Sequence, residues 1–155
     1  MNKSKTRSKI IKLRKNYANK NFKINLEEFF SFLKTSKYNF KNLGGYYPSN
    51  FEIDDLEILK LSEKKNFKIS LPIIKENNQM DFFKWSYNDP LKINKYGIPE
   101  PISSKKLYPD ILLVPLVGYD NHLNRLGYGG GFYDRYIEKI EKLKKEIKIS
   151  LAFSY

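Results

Sequence analysis

The sequence predicts a single α/β domain: a mainly parallel, doubly wound sheet with helices on both faces. Three observations lead there. Residues 110–117 (DILLVPLV) form a nearly continuous apolar run, as in a strand buried on both faces. Candidate strands alternate with candidate helices along the chain. The 155 residues, 41% hydrophobic and 15% aromatic, suffice for one core and not comfortably for two.

Each element has its own signal. Residues 3–20 are predicted as a helix, with Ile10, Leu13 and Tyr17 as a narrow apolar stripe. Asn25 and Glu28 make a capping pair for a helix from 26 to about 38, with Phe29, Phe30 and Leu33 inward. Gly44-Gly45 then breaks the chain, and Tyr46-Tyr47-Pro48 reads as the end of a short strand. Asp54 or Asp55 caps a third helix to about residue 65, with Leu56, Leu59 and Leu61 apolar. Residues 67–71 read as a strand stopped by Pro72, and 80–85 as a strand rich in aromatics. Residues 86–109 hold four prolines and one glycine and read as a long irregular connection. Such loops in small domains are usually functional. After 110–117 come a glycine-rich turn, a helix over about 131–146 and a strand over 147–153. The charged run 139–148 reads as a solvated helix face.

Composition removes whole classes of function. The chain has no cysteine, so a disulfide framework, a zinc finger and a thiol nucleophile are excluded. One histidine leaves no histidine pair, and His122 is assigned no role. No apolar run approaches the roughly 18–20 residues that cross a bilayer. The basic N-terminus lacks the apolar stretch of a secretory signal, so a cytoplasmic location is expected.

The net charge is +12, and nine cations with no acid fall in residues 1–23. A concentrated basic arm points to an anionic partner: nucleic acid, membrane surface or nucleotide. Lysine supplies 25 of the 29 cations. A genome rich in A and T explains lysines without any function, and explains Arg7 and Arg14 less well.

The segment most loaded with chemistry lies between the buried strand and the last helix: Arg125-Leu126-Gly127-Tyr128-Gly129-Gly130-Gly131-Phe132-Tyr133-Asp134. Ligands of open α/β sheets bind outside the carboxyl ends of strands. Clustered glycines let the backbone approach a ligand, and the following helix offers N–H groups to a phosphate. The helix dipole contributes only about 0.3–1 kcal/mol, so Arg125 is expected to supply much of the anion affinity. The P-loop pattern fails, because Phe132 and Tyr133 stand where Lys and Ser or Thr are needed. The dinucleotide fingerprint fails on spacing. Read alone, Asp134 is equally a first-turn acid favoured by the dipole. Glu52 alone reads as a surface acid; Met80, Phe82 and Trp85 could line a ligand pocket, with core packing the favoured reading.

This segment closely resembles the signature of the 5-formyltetrahydrofolate cyclo-ligases. Three others agree in order: Lys3-x-x-x-Arg7 with Arg14 seven residues on; Tyr47 followed by Glu52; and Gly97-Ile98-Pro99-Glu100-Pro101. The resemblance covers about residues 3–153. It implies conversion of 5-formyltetrahydrofolate to 5,10-methenyltetrahydrofolate with ATP and Mg²⁺. It implies ATP contacts at Lys3, Ser4, Lys5, Thr6 and Arg7, and at Arg125, Leu126, Gly127, Tyr128, Gly129, Gly130, Gly131, Phe132 and Tyr133. Arg125 would be catalytic, Tyr47 and Glu52 would contact the folate, and Asp134 would hold Mg²⁺. The expected partners are the folate and ATP alone, with no nucleic acid and no membrane, on a monomer.

Two departures stand out. Family members often carry a basic residue at the position of Tyr128 or Gly130, and this chain does not. They also continue past a strand like Ile149-Ser150-Leu151-Ala152-Phe153, whereas this sequence stops at Tyr155, so a chain truncated relative to the family is expected. The competing readings are a basic nucleic-acid-binding module and a truncated, inactive relative that only binds nucleotide or folate.

Overall fold

The computed structural model describes residues 2–17 and 24–152. Residues 18–20 of the expected first helix, the cations Lys20 and Lys23, and Phe153 of the expected last strand lie outside the described residues.

The order is α1 (Lys3–Tyr17), α2 (Leu26–Thr35), β1 (Asn42–Gly44), α3 (Leu56–Lys64), β2 (Lys68–Ile74), β3 (Met80–Lys84), β4 (Leu91–Ile93) and β5 (Pro99–Pro101). It continues through β6 (Ile111–Leu113), β7 (Gly118–Tyr119), β8 (Arg125–Leu126), α4 (Phe132–Glu141) and β9 (Ile147–Ile149). The central sheet runs β3-β2-β1-β6-β9. Strands β2, β1, β6 and β9 are parallel, and β3 closes one edge antiparallel. The expected mainly parallel α/β fold is the one observed.

Period-two alternation along β6 builds both sides of the core. Ile111 and Leu113 pack with Leu43, Ile69 and Leu71 beneath Phe29 and Leu33 of α2 and Ile58 and Leu59 of α3. Leu112 and Val114 pack with Met80 and Phe82 beneath Tyr136 and Ile140 of α4. Burial is continuous over 111–117, although the strand itself is only three residues long. Each fully buried Leu or Ile here contributes about 1.5–3 kcal/mol.

Helix α2 begins as expected, with the Asn25 side chain accepting from the Glu28 amide at 3.0 Å, but ends at Thr35. In α3 the two aspartates divide the work. Asp54 Oδ1 accepts from the Leu56 amide at 2.8 Å. Asp55 turns inward and accepts from the Tyr46 amide at 3.0 Å. The buried face of α3 is Ile58, Leu59 and Ser62; Leu56 and Leu61 are half-buried. Helix α4 ends at Glu141, short of 146, with the Leu143 and Lys144 amides turning back to the Ile140 carbonyl.

Several loop and strand expectations need correction. Gly44-Gly45 does not break the chain: Gly44 ends β1, and both glycines are tight-packing positions. A Cβ on Gly45 would lie 2.6 Å from Leu59 and 2.8 Å from Asp55 Oδ2. Pro72 does not stop β2. Ser70 turns its carbonyl to Gly45, so Pro72 faces the same edge two residues on, past the end of β1. Its missing N–H therefore costs no ladder bond. Residues 86–109 are not irregular throughout, for β4 and β5 form a hairpin. Its turn is closed by Asn94, whose Oδ1 accepts from the Tyr96 and Ile98 amides. Farther on, the chain lies along β3, with the Leu107 amide donating to Phe82 at 2.9 Å. Within the glycine-rich turn, β7 and β8 form a second small hairpin.

Candidate functional site

A cleft of about 700 Å³ opens at the carboxyl ends of β1 and β6. Tyr46, Tyr47 and Pro115 come from those strand ends, and Lys3 and Arg7 from α1. The glycine loop 127–131 and the start of α4 form one wall, and the tip of the β4–β5 hairpin forms another.

The loop is held by arginines. Arg7 Nε donates to the Gly127 carbonyl at 2.7 Å, across 120 residues of chain. Arg125 Nη1 donates to the Pro115 carbonyl at 2.9 Å, and its guanidinium pairs with Asp134. Arg135 Nη2 donates to the Gly130 carbonyl at 2.7 Å and to the Asn78 carbonyl at 2.8 Å. Arg14 donates to the Leu116 and Val117 carbonyls at 2.7 and 2.8 Å and to the Tyr128 hydroxyl at 3.1 Å. These four are every arginine in the chain. A planar fork that grips two acceptors at once is something lysine cannot supply.

Helix α4 starts on Gly131 in the left-handed region, φ 68°, with no side chain capping it. The first-turn amides are thus left by local structure to whatever enters the cleft.

The folate-side residues named in the sequence are set by a tight turn. Asn50 and Phe51 both have positive φ, 47° and 60°. For a bulky residue such as Phe51 that is a strained conformation. The turn folds Glu52 back so that its carboxylate accepts from the Ser49 amide at 2.7 Å. Burial pushes the Glu52 carboxyl above its ordinary value, against the Ser49 amide, the Tyr128 hydroxyl and the Arg14 charge, which lower it. Burial likewise raises the Tyr46, Tyr128 and Tyr133 phenols, so all three are neutral at physiological pH.

Of the residues singled out in the sequence, Lys3, Arg7, Tyr47, Glu52, Arg125, Asp134 and all of 126–133 line this one cleft. Ser4, Lys5 and Thr6 do not. Positions i and i+4 share a helix face, so Lys3 and Arg7 point inward and the residues between them point away. The Ser4 and Lys5 amides are instead capped by Asn2 Oδ1.

Sequence reasoning passed over Asn94, Tyr96 and Arg135, and named Arg14 without giving it a place in the site. Arg14 is 4% exposed on a helix that is otherwise mostly solvated. Tyr96 packs edge-on to Phe132, ring centroids 6.0 Å apart, and joins the hairpin tip to the glycine loop. The scarcity of arginine was the one available signal for Arg135.

Among the described residues no group of three His, Asp or Glu side chains converges on a metal position. Asp134 offers a hard oxygen donor at the cleft rim, its side chain 73% exposed. Mg²⁺ keeps several waters and accepts one or two carboxylates beside substrate phosphates. The donor set therefore suits an ion carried in with a nucleotide rather than a resident cage.

The profile of the 5-formyltetrahydrofolate cyclo-ligase family matches residues 1–155. The chain is 32% identical over 120 residues to the 5-formyltetrahydrofolate cyclo-ligase of Haemophilus influenzae, covering 73% of this chain and 64% of that protein. It is 31% identical over 103 residues to the probable 5-formyltetrahydrofolate cyclo-ligase of Schizosaccharomyces pombe, covering 61% of this chain and 50% of that protein. The chain thus spans half to somewhat under two thirds of these relatives. In structure it resembles the 5,10-methenyltetrahydrofolate synthetase of Aquifex aeolicus, with a TM-score of 0.75 and 28% identity over 99% of this chain and 79% of that one. The Mycoplasma pneumoniae synthetase shares the fold, with a TM-score of 0.64 and 21% identity over 100% of this chain and 92% of that one.

Proposed function

The chain belongs to the 5-formyltetrahydrofolate cyclo-ligase family, and from that premise we propose that it converts 5-formyltetrahydrofolate to 5,10-methenyltetrahydrofolate at the expense of ATP. One observation carries the reading: a single cleft gathers the cations Lys3, Arg7 and Arg125, the glycine loop, and the pair Tyr47 and Glu52.

The chemistry asked of such a cleft is activation of a poor leaving group. The N5-formyl oxygen attacks the γ-phosphorus of ATP, and ADP departs. N10 of the folate then attacks the activated formyl carbon. Inorganic phosphate leaves, N10 gives up its proton, and the methenyl bridge remains. No protein nucleophile is needed, in keeping with a chain that has no cysteine.

The protein's task is positioning and charge neutralisation. Arg125 is suited to the transferring phosphoryl group, because its Pro115 bond fixes the guanidinium plane. Lys3, Arg7 and the first-turn amides of α4, all on the cleft wall, would take the remaining phosphates. Tyr47 and Glu52 would orient the folate. Asp134 would hold Mg²⁺, which when bound neutralises phosphate charge. A monomer acting on small molecules in the cytoplasm completes the reading.

The test is appearance of the methenyl product by its near-ultraviolet absorbance. ATP-dependent product that falls about 100-fold or more in Arg125→Lys supports the assignment. No product from the folded chain with ATP and Mg²⁺ overturns it.

A further inference from the structure

Arg14 is the one buried residue of α1. Its guanidinium reaches the carbonyls of Leu116 and Val117, where the chain leaves the buried strand, and the hydroxyl of Tyr128 in the glycine loop. Tyr128 and Glu52 line the same cleft, and the hydroxyl and the carboxylate act on each other there. With Arg14 donating into the hydroxyl oxygen, the phenolic proton is free for Glu52, which accepts it when ionised. Tyr128 carries no charge; α1 brings one to its side.

We propose that Arg14 and Glu52 form an ion pair bridged by the Tyr128 hydroxyl, and that Arg14 is thereby a positioning residue that fixes Glu52 for the folate. The second half rests on the function proposed above; the first does not.

The arrangement has a physical rationale. Glu52 is largely desolvated, and a desolvated carboxylate stays ionised only with compensating partners. The Ser49 amide is one, and the Arg14 charge, relayed through Tyr128, is another. The remaining titratable groups facing Glu52 work the other way: Asp55 before α3, Tyr46 after β1 and Tyr133 of α4 gain nothing from its charge. The bridge spans both halves of the cleft, since Tyr128 sits in the nucleotide loop and Glu52 in the turn after β1.

Two measurements on the whole chain test the pair. The first needs neither substrate nor turnover: a carbon-13 titration of the Glu52 carboxyl in the unsubstituted protein, Tyr128→Phe, Arg14→Met and the double variant. The midpoint is expected to rise in each single variant, and in the double by less than the sum of the two single shifts. Tyr128→Phe keeps the Leu116 and Val117 bonds of Arg14, so it reports on the bridge even if Arg14→Met loosens α1. An unmoved midpoint in Tyr128→Phe, or shifts that add in the double variant, overturns the bridged pair.

The second measurement is calorimetric binding of 5-formyltetrahydrofolate and of ATP. Tyr128→Phe is expected to weaken the folate about tenfold and ATP by less than twofold, the loss typical of a hydrogen bond to a charged group. Equal weakening of both ligands would mean that the loop has merely collapsed, and overturns the positioning role. No folate binding by the unsubstituted protein would instead sink the function proposed above and leave the titration result standing.

Discussion

Gly129 has φ +102°, and a Cβ there would lie 3.4 Å from the Arg7 guanidinium carbon. Replacement by alanine meets backbone strain, while the added methyl only reaches van der Waals contact with the side chain that holds Gly127. Strain of this kind costs about 1–3 kcal/mol. Gly129→Ala is therefore expected to lower the melting temperature by roughly 2–10 °C and, through the distorted loop, to weaken ATP binding at least about tenfold, as calorimetry would read. Asp55 makes a different prediction. Burial holds its carboxyl well above the ordinary range, against the Tyr46 amide, which lowers it. A raised folded-state value means the folded protein binds this proton more tightly. That contribution is complete below the unfolded-state value and is lost as pH rises through the folded one. Asp55→Asn keeps an acceptor for the Tyr46 amide, so its thermal stability should decline less than the natural protein's between pH 4 and 8. Equal slopes in the two melting curves would contradict this. The burial of Asp55 was not legible in the sequence. Asp55 read as a cap because Asp54 and Asp55 are interchangeable by pattern, and only the gap above Gly45 decides between them.

Among the elements, those with a strong hydrophobic period were legible. The DILLVPLV run gave the central strand, and Asn25 with Glu28 gave the start of α2. The β4–β5 hairpin was hidden by Pro99 and Pro101, which read against a strand in sequence but are tolerated in a two-stranded ribbon. The chain after it is pinned by Asp81 on β3, which pairs with Lys106 at 2.9 Å and with Lys139 of α4 at 2.7 Å. Burial raises the Asp81 carboxyl, and the two ammonium groups together outweigh it, so the net shift is downward. A lowered folded-state value stabilises above the unfolded value and is lost as pH falls through the folded one. Asp81→Asn should thus cost about 1–2 kcal/mol in urea unfolding at pH 7, discounted for the part-exposed lysines. The difference from the natural protein should close toward pH 2. A gap that persists there would mean lost packing rather than lost charge.

At the scale of the whole molecule, the cleft joins the first helix to segments more than a hundred residues away. The basic start of the chain was visible as charge, and its destination was not. Helix α1 touches the sheet end through Arg7 and Arg14, and Ile10 lies 3.0 Å from where a Cβ on Gly118 would stand. Such an element depends on polar contacts more than on buried area. Bound ATP should slow amide exchange in α1 and at 127–131 while leaving β2 and β6 unchanged, as hydrogen-exchange mass spectrometry would detect. Uniform slowing across the sheet would show that α1 is no separate unit. The arginines make the same point from composition. A chain that uses lysine almost everywhere keeps its four arginines for the segment 115–130, where each donates to a main-chain carbonyl.

The bond from Arg7 to Gly127 spans 120 residues. On the ribosome, at about 5–20 residues per second, α1 emerges roughly 6–24 s before the loop it grips has been made. For that interval a strongly cationic peptide hangs from a polyanionic machine with its eventual partner still unwritten in protein. The side of the cleft built from α1 and the glycine loop is consequently completed late, and any pause in translation before residue 127 leaves α1 without the carbonyl that Arg7 grips.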